Sequence, residues 1–261
     1  MSADWSDLRT RLLSALVLIA VGGAEIWLGG WNFAALVIIA TGFMIWELAR
    51  MTESPGAMPA PVLGGIAAIC LLAIKLLPGL GWLFLLLIPS LAGNALPRRD
   101  RAVWSAYALV IMLTGLGLIV LRDGFGVVVI LWLVLVVVAS DVMGYFAGRA
   151  LGGPKFWPKV SPKKTWSGTI AGWIGAGLVG LGFWFGGWAN SAAIWLSPFL
   201  AFAGQLGDIA ESAIKRRAGV KDSSHLIPGH GGVLDRFDAL AFAVVLAVLL
   251  AHLGGLPFAK V

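Results

Sequence analysis

Long apolar runs alternate with short polar stretches along the whole of this 261-residue chain. An apolar run of about 18 or more residues is long enough to cross a bilayer as a helix. Such runs cover residues 10–29, 32–50, 60–77, 80–96, 103–121, 124–148, 167–187, 192–215 and 237–257. The pattern predicts an all-α fold, a polytopic integral membrane protein with about nine transmembrane helices. The connections at Gly29-Gly30 and Pro78-Gly79 are the shortest and bound their spans least sharply.

Composition supports membrane rather than water as the main solvent. Charged residues make up 12% of the chain and hydrophobic ones 59%, whereas a soluble domain carries about 25% charged residues. The first run, LRTRLLSALVLIAVGGAEIWLGG, follows basic residues but has no small-x-small cleavage pattern, so it reads as the first span and not as a cleaved leader. Cys70 lies inside an apolar run, which leaves no disulfide framework and no thiolate metal site.

Loop charges predict an orientation. Arg9 and Arg11 precede the first span, Arg50 ends the second, and Arg98, Arg99 and Arg101 follow the fourth. Arg149, Lys155, Lys159, Lys163 and Lys164 separate the sixth and seventh, and Lys215, Arg216, Arg217 and Lys221 follow the eighth. With nine spans all of these share one side, so the amino terminus and both large polar loops are expected in the cytoplasm and the carboxyl terminus opposite. Apart from Glu25, polar residues of the first half lie mostly near helix ends. The expected organisation is therefore a scaffold over 1–122 and a catalytic region over 123–261, within one membrane domain.

Three clusters carry the candidate chemistry. In SDVMGYFAGRALGG, Asp141 lies near the end of a span, where an acid needs a polar cavity or a partner, and Arg149 falls on the same helix face. KFWPKVSPKKTWSGT holds four lysines and no acid. There Lys163 and Lys164, with the Ser161, Thr165 and Ser167 hydroxyls as helix N-caps, suit an anion at a helix start. The third cluster places Asp208, Glu211, Ser212 and Lys215 along one helical stripe, then Asp235 and Asp238 on one face of the next helix. Carboxylates with waters and substrate phosphates are the ligand set of Mg²⁺. Lys215, Arg216, Lys221 and Arg236 can neutralise phosphate oxygens. In PGHGG, the glycines allow left-handed turns and bring main-chain N–H groups close to a ligand. His230 at its centre could bind phosphate, move a proton or organise the loop. Zinc is not expected, since His225 and His230 lack thiolates and His252 lies far along the last helix.

From Ser212 the spacing S-x2-K-R-x4-K-D-x5-P-G-H-G-G-x2-D-R-x-D resembles the signature of the phosphatidate cytidylyltransferases, or CDP-diacylglycerol synthases. SDVMGYFAGR is similar to that family's D-x-x-A-Y-x-x-G-R segment and SPKKTWSG to its S-P-K-K-T-W-E-G segment, with Gly144 and Ser167 as the departures. The resemblance implies a nucleotidyltransferase of phospholipid biosynthesis: phosphatidate plus CTP gives CDP-diacylglycerol and pyrophosphate, with Mg²⁺ required. Asp208 and Asp235 would hold the metal, with K⁺ as a second cation. Lys215, Arg216, Lys221 and Arg236 would neutralise the triphosphate, and Lys163 and Lys164 would receive a substrate phosphate. Ser212, Asp222, His230, Gly231, Asp238 and Asp141 would be organisers or auxiliary ligands. CTP, phosphatidate and membrane lipids are the expected partners, a homodimer is plausible for such a family, and no nucleic acid is expected. The alternatives are a cation-coupled transporter with a midplane site, or another lipid-phosphate transferase or kinase. A CDP-alcohol phosphotransferase would show a D-G-x2-A-R core, and none is found.

Overall fold

The computed structural model describes residues 5–77, 79–158 and 160–260, without the side chains of residues 5–8 and Pro162. Pro78 of the predicted turn and Lys159 of the basic loop lie outside the described residues. The chain divides into two compact units, 1–116 with 217–237, and 117–216 with 238–261.

The first unit contains α1 (Trp5–Leu28), α2 (Gly30–Met51), α3 (Ala60–Leu76), a 3-10 helix (Leu80–Leu87), α4 (Ile88–Ala95) and the start of α5 (Arg101–Leu151). Between α2 and α3 the backbones cross at Gly42 and Gly64. A Cβ on Gly64 would stand 2.7 Å from the Gly42 carbonyl, so only glycine permits the approach. Arg98 ties the ends of these helices together. Its guanidinium donates to Gly93 O (3.1 Å), Ala49 O (2.9 Å), Thr52 Oγ1 (3.0 Å) and Met58 O (3.3 Å), and stacks 4.3 Å from the Trp104 ring. Burial pushes this guanidinium below its usual pKa, opposed by the charge of Glu53. An arginine that the sequence counts among loop charges is thus a buried clamp.

The second unit holds the rest of α5, a hairpin of β1 (Lys155–Trp157) and β2 (Ser161–Thr165), α6 (Trp166–Phe185), α7 (Ala192–Ala218), and α8 (Leu234–His252) from Asp238 onward. The strands pair antiparallel, Lys155 opposite Thr165 and Trp157 opposite Ser161. The sequence reading treats this stretch as loop. Gly152 and Gly153, at φ 60° and 102°, end α5 and turn the chain into the hairpin. Thr165 caps α6, its Oγ1 accepting from Gly168 N at 3.2 Å. The break expected at Arg122-Asp123 falls later, at Gly126 (φ 77°, ψ −166°), a conformation that glycine alone adopts without strain.

Five helices among the described residues are long and apolar enough to cross a membrane: Arg9–Leu28, Gly30–Met51, Arg101–Leu151, Trp166–Phe185 and Ala192–Ala218. The fold is helical and the protein is an integral membrane protein. At about 1.5 Å per residue, the 51 residues of α5 exceed twice the roughly 30 Å of a bilayer core.

Candidate active site

In the first unit the site is built around the start of α8. Asp235, in the first turn and only 8% exposed, accepts three hydrogen bonds on Oδ2, from Ser223 N (2.9 Å), Ser223 Oγ (2.9 Å) and Gly232 N (2.7 Å). A second acid reaches the same place from α2. Glu47, fully buried, accepts from Ser224 Oγ (2.5 Å) and Val233 N (2.9 Å) on Oε1, and from Leu234 N (2.6 Å) on Oε2. Helix starts expose amides without intrahelical partners, and here two carboxylates take Gly232, Val233 and Leu234 between them. The negative charge also suits the positive end of the helix dipole.

The glycines of PGHGG do turn left-handed, Gly229 at φ 74° and Gly231 at 83°. Their neighbours' amides, however, serve the protein: His230 N donates to Ile227 O (2.9 Å), Ile227 N to Gly231 O (2.8 Å), and Gly232 N to Asp235. The amides of Ile227, His230 and Gly232 are thus committed within the protein. A cavity of about 440 Å³ beside it is lined by Arg11, Lys221, Asp222, His225, His230, Gly231 and Arg236, among others. Three cations against one acid give it a positive lining.

In the second unit a helical stripe on α7 forms as spaced. Ser212 Oγ donates to Asp208 Oδ1 (3.3 Å), and Lys215 Nζ to Glu211 Oε2 (2.9 Å), with Glu211 fully buried. Lys164 of the hairpin pairs with Asp208 Oδ2 at 2.5 Å and reaches Gln205 O at 3.4 Å. Asp141 lies in the field of Asp208 and Lys164. Asp238 hydrogen-bonds its side chain to Glu211 and its own Oδ1 accepts from Ala239 N (2.7 Å). Lys163 and Arg216 are exposed. Arg149 does not turn to Asp141; its Nη1 donates to Tyr145 OH at 2.9 Å. Ser167, the departure from glutamate, bonds through its hydroxyl to Gly152 O and to Thr165 Oγ1 (3.0 Å), which ties the α6 cap to the end of α5.

One turn before Asp208, Gln205 is a buried node. Its Oε1 accepts from Trp173 Nε1 (3.1 Å), and its Nε2 donates to Ser140 Oγ (3.1 Å) and Thr169 O (3.4 Å). It fixes α5, α6 and α7 around the acid. Gly172 makes room, since a Cβ there would stand 2.7 Å from Gln205 Nε2.

Among the described residues no three or more His, Cys, Asp or Glu side chains gather as a ready-made metal cage. Mg²⁺ does not need one, because it binds through one or two carboxylates and keeps its waters. Asp208 is a carboxylate of the type Mg²⁺ takes, and its oxygens meet the Ser212 hydroxyl and the Lys164 ammonium. Asp208 and Asp235 fall in different compact units.

The model of the cytidylyltransferase family matches residues 9–253. The chain belongs to that family. It is similar to a phosphatidate cytidylyltransferase of Brucella abortus biovar 1 (strain 9-941), 36% identical over 271 residues, covering 98% of this chain and 96% of the relative. One of Pseudomonas aeruginosa is 32% identical over 276 residues, covering 93% and 97%. One of Haemophilus influenzae is 47% identical over 128 residues, 46% of this chain and 44% of the relative.

Sequence reasoning missed Glu47, Ser223, Ser224 and Gln205. Glu47 had a faint signal, an acid inside an apolar helix, which costs free energy unless it is partnered. The two serines sit within the polar loop and were passed over for its charged residues.

Proposed function

We propose that this chain transfers CMP from CTP to phosphatidate, giving CDP-diacylglycerol and pyrophosphate. The observation that carries the reading is the cationic cavity beside Asp235 in an integral membrane protein, together with nearly full-length membership of the cytidylyltransferase family. A lipid phosphate oxygen attacks the α-phosphorus of CTP, the bond from that phosphorus to the bridging oxygen breaks, and pyrophosphate leaves. A phosphate monoester is already anionic near neutral pH, so no separate base has to remove a proton.

The protein's task is positioning and charge neutralisation. Lys221 and Arg236 line the cavity and neutralise the triphosphate as negative charge shifts toward the leaving pyrophosphate, while Asp222, His230 and Gly231 shape it. Lys215 and Arg216 are assigned to neutralising phosphate charge, with Ser212 orienting Asp208. Lys163 and Lys164 receive a substrate phosphate, Lys164 exchanging Asp208 for it. Asp141 and Asp238 are auxiliary carboxylates. Asp208 and Asp235 are the carboxylates assigned to Mg²⁺, with K⁺ as a second cation. When bound, the metal withdraws charge from phosphate oxygens.

The proposed topology has nine spans, α5 supplying two across Gly126, with the amino terminus and the polar loops in the cytoplasm. The proposed assembly is a homodimer. The family membership does not favour the transporter. Purified protein with radiolabelled CTP, phosphatidate and Mg²⁺ is expected to yield a CDP-lipid, and chelation to stop it. Cation flux without any CDP-lipid would refute the reading.

A further inference from the structure

The start of α1 forms a wall of the cationic cavity. Arg11 lines it, together with His230. The backbone and Cγ of Arg11 pack on Gly229, where a Cβ would stand 2.7 Å from that Cγ. One turn along, Ser14 Oγ lies 2.8 Å from His230 Nδ1, and 2.9, 2.9 and 3.2 Å from the carbonyls of Pro228, Thr10 and Arg11. A serine hydroxyl has one proton to give, and a carbonyl can only accept. Both groups find a partner when the hydroxyl proton goes to a carbonyl and the ring's N–H donates from Nδ1 to the serine oxygen; Nε2 is then the nitrogen left to meet a ligand.

The main-chain amides of Gly232, Val233 and Leu234 are committed to Asp235 and Glu47. Those three amides are taken, and an arginine lining the cavity offers a planar fork matched to two phosphate oxygens. We propose that α1 is part of the oligophosphate site: Arg11 binds phosphate oxygens, and Ser14 is a positioning residue that fixes the ring and tautomer of His230. Naming the oligophosphate as that of CTP rests on the CMP-transfer reading. The arginine that the sequence assigns to membrane orientation has a second task.

The test uses full-length protein in nanodiscs, with pyrophosphate and CTP binding measured by calorimetry. Arg11→Gln is expected to weaken both by about tenfold, the loss of one charge-assisted contact. Arg11→Lys should recover part of that loss. Arg9→Gln, an equal change of charge on the same helix, should bind as wild type. Ser14→Ala is expected to raise the Michaelis constant for CTP more than it lowers turnover, and Ser14→Thr to restore it. Nitrogen-15 spectra of labelled histidine should show His230 protonated at Nδ1, and Ser14→Ala should lose that preference. Normal pyrophosphate affinity in folded Arg11→Gln, or an Nε2-protonated His230 in the wild type, overturns the proposal. If Arg11-dependent pyrophosphate binding appears without any CDP-lipid formation, this inference stands and the CMP-transfer reading falls. The converse result, CDP-lipid formation with affinity indifferent to Arg11, removes the inference alone.

Discussion

Replacing Glu47 by glutamine tests whether one buried carboxylate on α2 sets the start of α8. Glu47 accepts from Ser224 Oγ, Val233 N and Leu234 N, the last on Oε2 at 2.6 Å. Glutamine keeps one acceptor oxygen. If that oxygen stays with Ser224 and Val233, the new amide group faces Leu234 N, donor against donor. Leaving one buried amide unsatisfied costs about 1–3 kcal/mol. Alanine removes all three acceptor contacts and strands both amides, for a cost of about 2–5 kcal/mol from the same penalty taken twice, less whatever water regains. Both variants should unfold earlier than wild type in detergent, alanine more so. The more discriminating readout is activity at a temperature where Glu47→Gln is fully folded. Asp235 shares the loop whose amides Glu47 holds, so turnover should fall by about tenfold or more, as expected when a catalytic group is displaced. Thermal stability and CDP-lipid turnover both at wild-type level in Glu47→Gln would refute the reasoning.

Further outcomes follow from other parts of the structure. Asp208→Asn and Asp235→Asn should each abolish CMP transfer while keeping the helical circular dichroism, since asparagine retains an acceptor oxygen but not the charge. Wild-type turnover in either folded variant would remove its metal assignment. Arg98→Lys keeps the charge but loses the fork that reaches Gly93, Ala49, Thr52 and Met58. It should cost about 2–4 kcal/mol, from at least one charged hydrogen bond lost and carbonyls left unpaired, read as an earlier thermal transition. Gly64→Ala places a Cβ 2.7 Å from Gly42 O and should cost about 1–3 kcal/mol by forcing α2 and α3 apart, whereas Gly65→Ala, with nothing within 4 Å, should be silent in the same melt.

The three polar clusters were legible because an apolar background makes every acid and lysine conspicuous. The α7 stripe was equally readable, since Asp208–Ser212 and Glu211–Lys215 contacts follow directly from helical spacing. What the sequence concealed was partnership across long distances. Glu47 meets residues 177 to 187 positions away, and no local pattern encodes that pairing. Arg98 looked like an ordinary loop charge because positive residues at span ends usually are, and its four acceptors lie in backbone and a threonine hydroxyl. The short hairpin was hidden for a different reason: three residues of β1 are too few to show alternation. The glycines of PGHGG announced their turns correctly, but not that the Gly232 amide goes to Asp235 and the next two amides to Glu47.

The Glu47 contact also bears on how the protein is made. An acid on the second helix is buried, yet its hydrogen-bond donors belong to Ser224, Val233 and Leu234, which are made late, Leu234 as the first residue of α8. During translation the second helix must carry an unpartnered carboxyl while almost the whole chain emerges, an expense that a lipid-facing acid bears poorly. The amino-terminal unit is therefore complete only when residues 217–237 have been made, because they bring the donors that Glu47 accepts from.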